Sequence, residues 1–275
     1  MGIPSYFRKI IQKFPGIVTD RLPGSVTASL CFDFNCLVYR CIRAPGMPPP
    51  AATEEWEDLL LKEVGRTVKE VWTASGRPRR VFIAVDGVVP MAKIRQQRVR
   101  RFKSAWLRRG GPGGWDSNAI TPGTAFMEKL SASLAAICAK NGWTLSSADE
   151  EGEGEHKIMQ WLRAQGKCGA VVIYGLDADL ILLSMLTGES LGVPIWLLRE
   201  RQEFGGKLLV DADGDQEYSF MNIGELKARI GVKEMSNITN YVGLMSLMGN
   251  DFLPHSITHK LNDDGHECVL HELRL

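Results

Sequence analysis

Long apolar runs are missing from this chain of 275 residues, and none approaches the roughly 18 residues that a membrane span requires. The start, Met1-Gly2-Ile3-Pro4-Ser5-Tyr6, lacks the apolar core of a secretory signal. It also carries Tyr6 where a myristoylation signal has Ser or Thr. Cysteine is sparse and unclustered: the six residues Cys31, Cys36, Cys41, Cys138, Cys168 and Cys268 form no Cys-x-x-Cys pair. That pattern excludes a compact disulfide framework and a thiolate zinc site, and fits reduced thiols. His255 and His259 stand four apart, but no cysteine or third histidine completes a zinc spacing, so structural or surface roles are expected. Net charge is only +1, so any basic surface must be local. A soluble intracellular protein with no membrane partner is therefore the default expectation, cytoplasmic rather than nuclear.

What is present is a dispersed set of seven acids placed where strands or buried helices should end. They are Asp33, Asp86, Glu153, Glu155, Asp177, Asp179 and Asp251. A carboxylate after an apolar run is costly to bury unless it is paired or coordinates a cation. Converging carboxylates repel one another, and divalent metal is the natural compensation. Oxygen donors without a Cys or His cluster favour Mg²⁺ or Mn²⁺. Two ions and phosphodiester chemistry are therefore expected, with these seven residues as the metal-binding and catalytic acids. Glu150 and Glu151 extend the acidic run and read as solvated charges at a helix start.

Apolar, near-continuous runs at Ser29–Phe34, Val81–Val85, Ala170–Tyr174 and Ile195–Leu198 predict buried strands. Helical spacing predicts helices over Thr53–Thr73, Thr124–Lys140, Glu153–Ala164, Asp179–Thr187, Ile223–Ile230 and Asn237–Met248. Strand–helix alternation implies an α/β fold with a mostly parallel sheet flanked by helices. In such sheets the ligand crevice lies beyond the carboxyl ends of the strands, where Asp33, Asp86 and Asp177 fall. Ala44–Ala52, Arg109–Gly114 and the acidic turn Asp211–Asp215 read as loops. Length allows one large domain or two; with no long linker and no internal repeat, a single domain over 1–275 is the expectation.

Acidic residues are absent from Gly87 through Trp115, while eight positive charges fall between Lys93 and Arg109. If Lys93–Lys103 is helical, then Lys93, Gln97, Arg100 and Arg101 share one face. Arginine offers planar forked donors, which suits a terminal phosphate. The bland alternative is a solvated basic helix. Beside the acids, the face reads instead as the grip of an enzyme that holds one phosphate and cleaves another.

The chain resembles the amino-terminal conserved region of the XRN-type 5′→3′ exoribonucleases. The resemblance lies in Met1–Phe7, Ala84–Phe102, Asp116–Met127, Gly152–Met159, Tyr174–Leu183 and Gly249–His255, in family order. It implies a PIN/flap-nuclease-like core, divalent metal, and removal of nucleotides from single-stranded RNA bearing a 5′-monophosphate. By position, the seven acids match the family's metal ligands. Lys93, Gln97, Arg100 and Arg101 match its 5′-phosphate pocket, and Asn35 matches the asparagine beside the first acid. Tyr39 stands where the family usually has a histidine that stacks on the first base, and a phenol ring can serve as a similar platform. The chain ends 24 residues after Asp251, where cellular members continue into a second conserved region. The resemblance is thus to a minimal or truncated member, such as a viral one, with a protein partner as one source of the missing region.

Two other readings use subsets of these residues. A flap-type DNA nuclease shares the acids, but Asp251 is followed by Phe-Leu-Pro-His-Ser-Ile-Thr-His rather than a Gly-x-Gly hairpin. A non-catalytic 5′-phosphate RNA-binding module would need the basic face and not the acids. Trp56, Trp72 and Trp161 fall in predicted helices and read as core, whereas Trp106 and Trp115 fit either core or RNA contact.

Overall fold

The computed structural model describes residues 3, 5–22, 27–107, 114–167, 169–175, 177–201, 217–254, 256, 261 and 265–273. Met1 and Gly2, the stretch at 109–113, Cys168, the turn Asp211–Asp215, and His255 and His259 lie outside the described residues. In chain order the elements are α1 (Tyr6–Lys13), β1 (Val18–Thr19), β2 (Ser29–Asp33), α2 (Asn35–Ile42), α3 (Glu54–Ala74), β3 (Arg80–Ala84), α4 (Met91–Leu107), α5 (Ala125–Asn141) and β4 (Thr144–Ser146). They continue with α6 (Gly154–Gln165), β5 (Val171–Tyr174), α7 (Asp179–Leu191), β6 (Ile195–Glu200), β7 (Tyr218–Asn222), α8 (Ile223–Ile230), α9 (Met235–Ser246) and α10 (Gly265–Glu272). Two compact units divide the chain: Met1–Ser29 with Met159–Leu275, and Leu30–Ile158.

In the unit Leu30–Ile158 the strand order is β2-β3-β4, and β3 runs parallel to β4. Four of the five β2 residues are buried, and the strand ends where half-buried Asp33 reaches water. Helix α3 starts because Thr53 caps it, its hydroxyl accepting the Trp56 N–H at 3.2 Å, with Glu54, Glu55 and Glu57 favourably placed in the first turn. Its apolar stripe Trp56, Leu60, Val64, Val68 and Val71 is buried at helical spacing. Helix α5 is capped by Thr124 and stopped by Gly142, whose φ of 67° is left-handed backbone that glycine adopts without a Cβ penalty. Trp115 settles between Trp56 and Phe126, with ring centroids 5.1 and 4.9 Å away, and donates to Glu57 at 2.9 Å. It is therefore core. Trp106 is 55% exposed and stacks on Phe102 at 6.2 Å.

The other unit carries the strand order β1-β7-β6-β5. β5 and β6 are parallel, while β7 is antiparallel to both β6 and β1. Val171 through Tyr174 are fully buried, as the continuous apolar run predicts. Helix α1 is pinned by a buried hydroxyl chain: Tyr6 Oη meets Tyr241 Oη at 2.7 Å, and Tyr241 Oη meets His266 Nε2 at 2.9 Å. Burial raises the Tyr6 phenol well above its ordinary range, so it stays neutral. No helix among the described residues is long and apolar enough to cross a membrane.

Each predicted strand and helix is present, with ends displaced by at most a few residues and Ile223–Ile230 found at its predicted bounds. The elements absent from the sequence reading are α1, β1, α2, β4, β7 and α10. All are short, from two to eight residues, and carry too few periods for a pattern to stand out.

Candidate active site

Four of the seven acids belong to the unit Leu30–Ile158. Asp33 closes β2, Asp86 follows β3, and Glu153 and Glu155 flank Gly154, the first residue of α6. The Gly154 N–H donates to Asp86 Oδ1 at 2.7 Å, a charge-assisted bond at a helix start where negative charge is favourable. A Cβ at Gly154 would lie 2.7 Å from Asp33 Oδ1 and 3.4 Å from Asp86 Oδ1. Glycine thus leaves open the space onto which both carboxylates face. Asn35, at the start of α2, accepts the Asp86 N–H on its Oδ1 at 3.2 Å, so it acts on the acid's backbone.

The Asp86 turn is laced to the segment preceding α6. Val85 N–H donates to Ser146 O at 2.9 Å, Gly87 N–H to Gly152 O at 2.9 Å, and Gly152 N–H to Val88 O at 2.8 Å. The approach at Gly87 is so close that a Cβ there would stand 1.7 Å from the Glu150 carbonyl oxygen. Glu153 and Glu155 are both buried. Glu153 Oε2 pairs with Lys93 Nζ at 2.8 Å, while its Oε1 is buried without a hydrogen-bond partner among the described residues.

The basic face lies on α4, which covers the predicted helical segment and extends it at both ends. Its members have different partners. Lys93 is 8% exposed and held by Glu153. Arg101 donates to Gln97 Oε1 at 3.2 Å. Arg100 and Arg101, together with Tyr39 from α2, line a cavity of about 230 Å³ completed by Ser104, Ser117, Asn118 and Ile120. Helix α2 is anchored from behind by Arg40, which donates to Thr67 Oγ1 of α3 at 2.6 Å. The short 3₁₀ turn Ser117–Ala119 is fixed by Asp116, whose side chain accepts the Asn118 N–H at 2.8 Å.

Asp177, Asp179 and Asp251 lie in the other unit. Asp179 opens α7 and Asp177 lies two residues before it, beyond the carboxyl end of β5. Asp251 sits in a turn after α9 built by Asn250, whose Oδ1 accepts the N–H groups of Phe252 and Leu253 at 2.8 Å each. Among the described residues no three Asp, Glu, His or Cys side chains stand close enough to form a ready-made metal site. The carboxylates are instead arranged as the pair around Gly154 and the ion pair with Lys93.

Sequence reasoning missed Gly87 and Gly154, whose value is the absence of a side chain, and the cavity wall of Ser104, Ser117 and Asn118. It also missed Lys157. Its ammonium is buried and donates to the carbonyls of Val85 and Ser147 at 2.8 Å each. Burial lowers its pKa, and the charges of Glu150, Asp86 and Asp149 oppose that shift. The Gly-Glu-His-Lys stretch was the available signal, since a lysine two residues after Glu155, in the largely buried first turn of a helix, needs a partner.

Comparison with known proteins adds the family. The model described as "XRN 5′-3′ exonuclease N-terminus" matches residues 1–110 and 111–201. The chain belongs to this family. Among XRN relatives, "5′-3′ exoribonuclease 2" of Kluyveromyces lactis is 32% identical over 93% of this chain and 34% of its own length. The protein of the same name from Saccharomyces cerevisiae is 31% identical, with the same shares covered. The chain thus spans about a third of the length of these relatives. In fold, this XRN chain is similar to the catalytic core of Rad2 in complex with DNA substrate. The TM-score is 0.53 at 14% identity, covering 98% of this chain and 68% of that one. The fold is accordingly a PIN/flap-nuclease-like α/β fold.

Proposed function

We propose that the chain is a divalent-metal-dependent 5′→3′ exoribonuclease that hydrolyses single-stranded RNA with a 5′-monophosphate to nucleoside 5′-monophosphates. One observation carries this reading. Arg100, Arg101 and Tyr39 line one cavity in the unit that also holds the Asp33 and Asp86 pair. Two guanidinium groups and a phenol ring suit a terminal phosphate and the base next to it.

The donor set fits a hard cation. It consists of carboxylate oxygens, with the Glu153 Oε1 making no hydrogen bond among the described residues and open space beside Gly154. In the unit Leu30–Ile158, Asp33, Asp86, Glu153 and Glu155 would hold Mg²⁺ or Mn²⁺, and Asp177, Asp179 and Asp251 are proposed as the ligands of the other unit. Bound ions would supply Lewis-acid chemistry, lowering the pKa of the attacking water and offsetting charge on the leaving 3′-oxygen. The chain's own groups do the rest. Arg100 and Arg101 would grip the terminal phosphate, Gln97 orients Arg101, and Tyr39 would stack on the first base. Asn35 and the Gly154 N–H fix Asp86 from its backbone and its carboxylate. Lys93 would join the phosphate grip only by exchanging its Glu153 partner.

The test is to incubate the protein with Mg²⁺ or Mn²⁺ and RNAs carrying 5′-phosphate, 5′-hydroxyl or 5′-triphosphate ends, beside a forked DNA. The expected products are nucleoside 5′-monophosphates, released from the 5′-phosphorylated RNA alone. Cleavage indifferent to the 5′ group would remove the terminal-phosphate assignment. Cleavage of the fork alone would make the protein a structure-specific DNA nuclease.

A further inference from the structure

Buried lysines that make no ion pair are uncommon, because desolving an ammonium is expensive unless its donors are satisfied. Lys157 is 5% exposed, and among the described residues its ammonium bonds go to backbone carbonyls rather than to a carboxylate. Both carbonyls matter. Val85 immediately precedes Asp86, and Ser147 opens the segment that leads to Glu153. The lysine stem also runs under that segment, its Cγ and Cε 3.8 and 3.9 Å from the point where a Gly152 Cβ would stand. One side chain therefore ties the exit of β3 to the exit of β4 and supports the turn before α6.

We propose that Lys157 is a positioning residue that sets the separation of Asp86 and Glu153, and through them the affinity of the acidic site for a divalent cation. The inference rests on the metal-binding reading above. Two roles for the lysine predict opposite signs. If Lys157 acted only as a nearby positive charge, removing it would tighten cation binding, because like charges repel. If it positions the carboxylates, removing it loosens the site and weakens binding despite the more favourable charge. Residues that orient metal ligands from behind commonly cost 10-fold or more in affinity when lost.

The experiment titrates Mn²⁺ into the protein without RNA and follows the free-ion signal by electron paramagnetic resonance. Wild type is compared with Lys157→Gln, which removes the charge and shortens the side chain, and with Lys157→Arg, which keeps the charge but directs its donors from a rigid planar fork. Thermal melts identify folded variants, and Lys157→Arg serves as the measuring variant if Lys157→Gln does not fold. The expected result is Mn²⁺ binding weakened by about ten-fold in Lys157→Gln, with partial recovery in Lys157→Arg. If Lys157→Gln does not fold, Lys157→Arg is expected to bind measurably more weakly than wild type, because its fork cannot reproduce both carbonyl bonds. Folded variants that bind Mn²⁺ as well as or better than wild type would overturn the positioning role and leave the metal site standing. Failure of wild type to bind Mn²⁺ would overturn both.

Discussion

Lys93 Nζ lies 2.8 Å from Glu153 Oε2, joining a candidate phosphate ligand to a candidate metal ligand in a buried ion pair. Breaking such a pair leaves one charge stranded, at about 3–5 kcal/mol, whereas replacing both partners with apolar groups is often near neutral. Lys93→Met and Glu153→Met should therefore each destabilise the metal-free protein strongly. The double variant should recover most of that loss in urea denaturation. Additive losses would show that the two side chains are not coupled.

Gly154 and Gly87 make a second pair of predictions. A Cβ at Gly154 meets Asp33 Oδ1 at 2.7 Å and the Ala84 carbonyl oxygen at 3.0 Å. At Gly87 it meets the Glu150 carbonyl at 1.7 Å, and backbone cannot swing away as a side chain can. Gly154→Ala should suppress RNA hydrolysis with a modest loss of stability. Gly87→Ala should lower both, because the Asp86 turn must detach from the segment it is bonded to. Activity and melting temperature measured on both variants decide, and wild-type turnover by Gly154→Ala would show that the space is not used.

The contrast between these glycines and Lys93 shows what was legible in the sequence. Apolar runs at β2, β3, β5 and β6 are read directly, because a buried strand has few other compositions. The acids that follow them are legible for the same reason. The helical wheel groups Lys93 with Arg100 and Arg101, but it carries no axial coordinate. Seven residues along α4 separate Lys93 from Arg100 by about 10 Å, enough to give them different partners. Neither Gly154 as open space nor Lys157 as a clasp leaves a periodic signal, since both depend on chain segments that meet only in the fold.

His266 supplies a pH dependence. Burial lowers its pKa to about 4 from an ordinary 6.5, the Lys13 charge adds to the shift, and Glu267 opposes it. Its unfolded form binds a proton first as pH falls, so folding loses stability from about pH 6.5 down to about pH 4 and no further from this group. The difference amounts to about 3 kcal/mol. Urea midpoints should fall between pH 7 and pH 4. His266→Gln, which can still meet the Tyr241 hydroxyl, should fall less over the same interval. Equal falls would place the acid sensitivity elsewhere.

Asp179 is half-buried in the first turn of α7, and Asp177 is half-buried two residues before that helix, beside its N-terminus. A carboxylate in a first helical turn contributes only about 0.3–1 kcal/mol to stability. Asp177→Ala and Asp179→Ala should therefore melt near the wild-type temperature while losing RNA hydrolysis almost completely. Near-normal turnover by either purified variant would remove it from the proposed metal ligands.

Arg101 separates recognition of the 5′ end from chemistry. It lines the cavity with Arg100 and Tyr39 and donates to Gln97, but makes no described contact with the Asp33 and Asp86 pair. Removing it should cost affinity for a phosphorylated end and leave the reacting groups in place. Arg101→Ala should raise KM for 5′-phosphorylated RNA more than it lowers kcat, and should narrow the preference over 5′-hydroxyl RNA. Arg101→Lys should recover only part, because an ammonium holds a phosphate as a point charge without the fork that gives two aligned bonds. A fall in kcat with KM unchanged would instead place Arg101 at the reacting phosphate, one linkage further along the strand.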